Sequence, residues 1–141
     1  RSSELGDCIL VGCELELRRG DPTALLARLK EVMAAKAATQ PMGEKSAGCC
    51  YKNPTLMRTI GGLGREGERI GAGLVIDRAG CKGLSVGRAR VSDRHANFFP
   101  VAKDARAADV IALMEEVERR VFDRFGIALE REVIIWQRGG A

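Results

Sequence analysis

Ser46-Ala47-Gly48-Cys49-Cys50-Tyr51-Lys52-Asn53-Pro54 sets a thiol directly after a run of small residues, with an amide and an ammonium donor just downstream. Small residues allow a backbone to approach a ligand closely. A thiol of ordinary pKa, about 8.5, is mostly protonated at neutral pH and able to give a proton, so Cys49 is a candidate acid. The same residues equally suit a quieter role in which Cys49 and Cys50 are small buried hydrophobes.

Other chemistry-bearing patterns are weaker. Gly62-Leu63-Gly64-Arg65-Glu66-Gly67 matches G-x-G-x-x-G letter for letter. A dinucleotide site needs a strand before that motif and a helix opening after it, and Glu68-Arg69-Ile70-Gly71 carries no helix start, so a flexible glycine loop is expected instead. Arg58, Arg65, Arg69, Arg88, Arg90 and Arg94 would make a basic patch if clustered, but scattered arginines usually form a solvated surface. Aromatic residues are only 4% of the chain, which leaves few platforms for stacking bases. His95 is the single histidine and the cysteines are not paired as C-x-x-C, so no metal site is expected.

The chain has 141 residues, enough for one domain with its own core and no need of a disulfide or metal staple. Five cysteines, an odd number, without a signal-peptide pattern suggest a reduced, cytoplasmic protein. No apolar run approaches the roughly 18–20 residues of a membrane span, and no membrane partner is expected. The net charge of +4 suits an anionic partner without choosing between a nucleic acid and a phosphorylated metabolite. The absence of an initiating Met makes the chain read as a piece of a longer one.

These residues must be held by a modest set of elements. Cys8 to Leu17 alternates, with Ile9, Val11, Cys13, Leu15 and Leu17 on one face and Glu14 and Glu16 on the other, the pattern of a strand covered on one side. Asp21 followed by Pro22 opens a helix whose expected buried stripe is Leu25, Leu26, Leu29, Val32 and Met33, ending at Gln40-Pro41. Pro41 to Gly71 is glycine-rich and expected as loop. A short helix is expected over 72–79. Short strands are expected over 84–88 and 97–101, the second near an edge because Pro100 has no N–H. A long helix from about Arg106 to Phe125 should bury Val110, Leu113, Met114, Val117, Val121 and Phe125 and stop at Gly126. Glu132 to Trp136 should close the chain as a buried strand. Two long helices with four or so short strands, not alternating, imply an α+β class.

Ser46–Pro54 resembles the S-A-G-(S/C)-x-(F/Y)-K-N-P block of the UDP-N-acetylenolpyruvoylglucosamine reductase family, flavoenzymes of bacterial peptidoglycan precursor synthesis. Further blocks agree in order. Ala72–Gly83 resembles the family's A-G-x-L-I-(D/E)-x-A-G-L-K-G, and Val91–Phe98 its V-S-x-K-H-A-N-F. Ala107–Val110 resembles A-A-D-V, and Leu129–Val133 resembles L-E-x-E-V. Arg1-Ser2-Ser3 looks like the end of Y-R-x-S without its tyrosine. Essentially the whole chain is covered.

The resemblance implies a two-electron reduction of UDP-N-acetylglucosamine enolpyruvate to UDP-N-acetylmuramate, with FAD as cofactor and NADPH as reductant. Arg1 matches the arginine that stabilises the negative charge developing on the enolpyruvyl carboxylate. Cys49 matches the proton donor, more often a serine in the family, and Glu132 the glutamate near the same carboxylate. Asn53, Lys82 and His95 match positions that hold the UDP-sugar. A cysteine at position 49 also leaves the site open to oxidation. The implied architecture is α+β, two long helices on a small mixed sheet. Residues 1–20 would be the last strand of an upstream flavin-binding domain and 21–141 a C-terminal substrate-binding domain, itself without cofactor-binding residues and inactive alone. The stretch between Pro54 and Ala72 is longer than the family connection and reads as an inserted loop near the site. Two rivals stand beside this expectation: a small basic nucleic-acid-binding module, and a free-standing thiol enzyme with His95 as the base of Cys49.

Overall fold

The computed structural model describes residues 11–136. The chain divides into two compact units, residues 1–33 and 34–141. In the first, residues 11–20 have no regular structure, and α1 (Pro22–Thr39) starts at Asp21. Asp21 Oδ2 accepts from the Ala24 N–H at 2.9 Å, which satisfies an amide that has no partner within the helix.

Two expectations fail here. The strand over Cys8–Leu17 lies partly outside the described residues, and its described portion, 11–17, is neither strand nor covered. Alternation marks a face, but a strand also needs a bonded neighbour, and none pairs with this segment among the described residues. The apolar stripe of α1 is likewise not buried: Leu25, Leu26, Leu29, Val32 and Met33 are between 39% and 59% exposed. Alanine at 24, 27, 34, 35, 37 and 38 explains how the helix forms without burial, since alanine has the highest intrinsic helix propensity.

The second unit holds the core. Its axis is α3 (Ala107–Phe125), which ends at Gly126 with φ 68°, a left-handed C-terminal stop. Leu113, Met114, Val117 and Val121 are at most 1% exposed, and Val110 and Phe125 pack against them. These residues recur at three- and four-residue intervals and face α2 (Ala72–Arg78) and a hairpin. The hairpin pairs β1 (Ser85–Val86) with β2 (Ala89–Arg90), antiparallel, Ser85 opposite Arg90 and Val86 opposite Ala89. Gly87 turns it at φ 55°, and a Cβ there would lie 2.3 Å from Asp109 Oδ1 in the first turn of α3, so a side chain would be strained and would displace that carboxylate.

The expected mixed sheet is replaced by fragments whose described pairings are all antiparallel. Arg90 N–H donates to Pro100 O (3.0 Å), and Cys50 N–H to Asn97 O (2.9 Å). Glu132 N–H donates to Cys50 O (2.7 Å). Segments 130–132, 50–52, 97–101 and 89–92 therefore run side by side, but Pro100 and the interrupting turns keep each too short for a regular strand. Only the start of the expected strand Glu132–Trp136 joins this ladder; Ile134 and Trp136 are 82% and 91% exposed. The stretch read as loop, 54–70, folds back on itself instead. Ile70 N–H donates to Pro54 O (3.0 Å), Leu56 N–H to Glu68 O (2.9 Å), and Thr55 pairs with Arg69. Its glycine-rich tip supplies turns, with Gly62 at φ 79°, and no helix opens directly after it.

Candidate active site

Cys49 and Cys50 take the two fates open to them in sequence. Cys50 is in the core at 1% exposed, whereas the half-buried Cys49 lines a cavity of about 360 Å³. The cause is the extended backbone between segments 97–98 and 130–132, which sends adjacent side chains to opposite sides. Burial raises the Cys49 thiol pKa, the Glu132 carboxylate raises it further, and a hydrogen bond from the Asn97 side chain partly offsets both. The thiol is thus protonated at neutral pH, as an acid must be.

Asn53, Lys82 and His95 line the same cavity. Asn53 Oδ1 accepts from Ala72 N–H at 3.0 Å, so it fixes the start of α2, where Gly71 offers no side chain as a cap. Lys82 Nζ lies 2.8 Å from Asp77 Oδ2 near the end of α2. His95 packs edge-on to Phe98, ring centroids 4.9 Å apart. Burial lowers the His95 pKa, and Lys82 adds to that, so the ring is neutral at pH 7. Its Nδ1 accepts from Asn97 N–H at 3.3 Å, which places the ring proton on Nε2 as a donor. The ring also requires Gly73: a Cβ there would sit 2.9 Å from His95 Cε1.

Glu132 does not line the cavity, but its carboxylate is close enough to act on Cys49. Its segment is anchored by the neighbouring residue, since Arg131 Nε and Nη2 grip Glu118 of α3 at 2.6 and 2.9 Å. Arg131 also pairs with Tyr51, whose hydroxyl donates to Met114 O at 2.9 Å. Cys49 and Glu132, far apart in sequence, therefore converge. Arg1 lies outside the described residues. Asp77, Arg94 and Asn97 also line the cavity and were not singled out from sequence as holding the sugar nucleotide, although Arg94 and Asn97 stand inside the block that carries His95.

A larger cavity of about 500 Å³ lies between α3 and residues 133–136, lined mainly by apolar groups such as Phe99, Val110, Ile111 and Ile135. Its lining has no carboxylate and no imidazole, whereas the smaller cleft gathers Cys49, Asp77, Lys82 and His95 and is the candidate site. Among the described residues no group of His, Cys, Asp and Glu could hold a metal ion, and no helix is long and apolar enough to cross a membrane.

Fold and cleft together define an α+β domain with a polar cleft that carries a protonated thiol on its wall. Residues 40–136 match the family model of the UDP-N-acetylenolpyruvoylglucosamine reductase C-terminal domain, and the chain belongs to that family. It is 46% identical over 130 residues to the UDP-N-acetylenolpyruvoylglucosamine reductase of Desulfosudis oleivorans, covering 92% of this chain and 38% of that one. The corresponding reductase of Syntrophobacter fumaroxidans is 39% identical over 127 residues, 90% of this chain and 33% of the relative. The crystal structure of the Thermus caldophilus reductase superposes with a TM-score of 0.63 at 35% identity, covering 86% of this chain and 38% of that one. The chain thus spans between a third and two fifths of the length of these relatives.

Nothing in these comparisons supports the nucleic-acid alternative. Several arginines of the candidate basic patch are already engaged: Arg90 with Glu44 and Asp93, Arg94 with Ala37 O, and Arg58 with Phe125 O.

Proposed function

We propose that this chain is the substrate-binding part of a cytoplasmic reductase that converts UDP-N-acetylglucosamine enolpyruvate to UDP-N-acetylmuramate, with Cys49 as the proton donor. One observation carries this proposal: Cys49 stands on the rim of a polar cleft with its thiol held protonated by burial and by Glu132. Reduction of an enol ether adds hydride to the methylene carbon and a proton to its neighbour. The thiol supplies that proton and becomes a thiolate. Glu132, beside it, favours the protonated thiol electrostatically and so drives the thiolate to regain a proton from solvent.

Lys82, the Nε2–H of neutral His95 and the amide of Asn53 hold the sugar nucleotide, the lysine on the diphosphate. Arg1 stabilises the charge that develops on the substrate carboxylate. FAD, with NADPH as reductant, is the cofactor set of the whole reductase. The described residues do not fit a flavin: the glycine-rich run forms a turn with no helix opening after it, and the polar cleft is lined by groups assigned to the sugar nucleotide. Accordingly residues 1–20 belong to the flavin-binding portion and 21–141 to the substrate-binding portion, which is inactive by itself.

A nucleophilic thiolate–imidazolium pair needs a lowered thiol pKa and a raised imidazole pKa. Cys49 and His95 are shifted the opposite way, which disfavours the thiol-enzyme alternative.

In the full-length reductase, Cys49→Ser should retain turnover to within about tenfold, because a hydroxyl also donates a proton. Cys49→Ala should lose about 10²–10⁴-fold in product formation while NADPH is still able to reduce the enzyme. Wild-type turnover in Cys49→Ala would remove Cys49 from the acid role.

A further inference from the structure

Asp77 is badly placed by two ordinary criteria. It stands in the last turn of α2, where the partial negative charge of a helix end disfavours an anion. It also lines the polar cleft, where a carboxylate repels the diphosphate of a sugar nucleotide. Neither helix stability nor direct anion binding accounts for it, which leaves its ion pair with Lys82.

The chain is shaped to make that pair. Gly80, at φ 75°, ends α2 in the left-handed region, with Gly80 N–H donating to Asp77 O at 2.9 Å and Cys81 N–H to Ile76 O at 3.1 Å. This reversal carries the chain back past the helix end. Cys81 is fully buried, and Gly83 N–H donates to Val91 O at 3.1 Å, so the backbone is fixed on both sides of Lys82. The Lys82 side chain is a flexible four-carbon stem, and it ends with Nζ 2.8 Å from Asp77 Oδ2. Both side chains stay open to the cleft, 36% and 43% exposed. An ammonium has three N–H donors, so the pair takes one and leaves two.

We propose that Asp77 is the positioning residue of the cleft's anion subsite: it holds the Lys82 ammonium against the cleft wall with two N–H donors left to meet the diphosphate. An unpaired lysine gives up rotamer freedom each time a ligand binds, whereas a paired one has already lost it in the folded protein. That gain outweighs the carboxylate's repulsion of the phosphates. This role rests on the reading of Lys82 as the diphosphate ligand, and it adds a residue that repels the phosphates yet serves their binding.

The test is UDP binding, by calorimetry, to the full-length FAD-loaded reductase without NADPH. Asp77→Ala should weaken UDP about three- to fivefold, the scale of a partly exposed ion pair. A bystander carboxylate has the opposite sign, because its removal leaves the cleft more positive and UDP more tightly bound. In a Lys82→Ala background, with no ammonium to hold, Asp77→Ala should tighten UDP or leave it unchanged. Asp77→Glu restores the carboxylate and should come within about twofold of the parent. In turnover Asp77→Ala should raise KM for the enolpyruvyl substrate by the same factor and keep kcat within about twofold, because the contact serves ground state and transition state alike.

UDP bound by Asp77→Ala as tightly as by the parent, or more tightly, would overturn the proposal. Equal weakening in both backgrounds would overturn it too, since that marks damage to α2 and not the loss of an oriented ammonium. Lys82→Ala tells the two readings apart. If it leaves UDP affinity unchanged, the diphosphate reading of the cleft fails and the Asp77 role with it. If it weakens UDP while Asp77→Ala does not, the positioning role alone fails. Should Asp77→Ala not fold, Asp77→Asn keeps the shape without the charge and takes its place with the same expected sign.

Discussion

α1 and α3 are near-twins in length, at 18 and 19 residues, and both carry apolar residues at helical spacing, yet only one is built into a core. α3 places Leu113, Met114, Val117 and Val121 against α2 and the hairpin, while no residue of α1 is buried. What separates them is how each helix is sustained. α1 has six alanines, an Asp21 cap and an Arg28–Glu31 pair at 3.0 Å, all local terms. α3 has local terms too, Arg119 and Arg120 pairing with Glu116 and Asp109 capping its start, but it adds a buried face that α1 lacks. Period 3.6 thus reports which face is apolar, and it does not report whether anything covers that face.

The contrast is broken most directly at α3. Leu113→Ala removes a fully buried side chain from the centre of the packed layer and should cost about 2–5 kcal/mol in denaturant unfolding, since the cavity left behind adds to the lost transfer energy. A cost below about 1 kcal/mol would mean that α3 is no more built-in than α1.

The next effect comes from the thiols in the same packed region, none of which lies on α1. Burial pushes Cys50 up to about 12, and Cys49 and Cys81 are raised for the same first reason. In the unfolded chain these groups ionise near their ordinary value of 9.0. Between pH 9 and 12 the native state therefore binds more protons than the unfolded state, and stability falls as pH rises. Cys50 alone should contribute a slope of about 1.4 kcal/mol per pH unit across that window. Urea unfolding at stepwise pH checks this, and Cys50→Ala should flatten the slope even as it lowers the absolute value. A flat profile in the parent protein would show that Cys50 is wet.

How much of this was legible in sequence follows from the range of each interaction. The end of α3 was readable because Gly126 acts within a turn of itself. Cys49, Asn53, Lys82 and His95 could be gathered from ordered sequence blocks, and the fold sets them on one cavity. Asn97 was not chosen although it stands two positions from His95, because its contacts reach back to Tyr51, 46 residues away, and no local pattern signals them. The pairing of Pro54 with Ile70 was hidden for a different reason: dense glycine reads as loop, whereas here it supplies the turns of a bonded excursion. The strand expected over Cys8–Leu17 failed in its described part, residues 11–17, because a half-covered strand is a property of two segments and only one was in view.

The smallest expected effect is the sharpest test of the comparison. Leu29 lies mid-stripe on α1 and is 56% exposed, so Leu29→Ala exchanges a half-wet leucine for the best helix former. The lost contact and the gained propensity nearly cancel, and the change in unfolding free energy should stay within about 0.5 kcal/mol. Paired with Leu113→Ala, the two substitutions remove the same atoms from two helices of nearly equal length. Their difference therefore isolates burial from chemistry. A loss of more than about 1 kcal/mol at Leu29 would show that the α1 stripe is covered in solution, and the exposed face would then be an interface whose other half is still to be found.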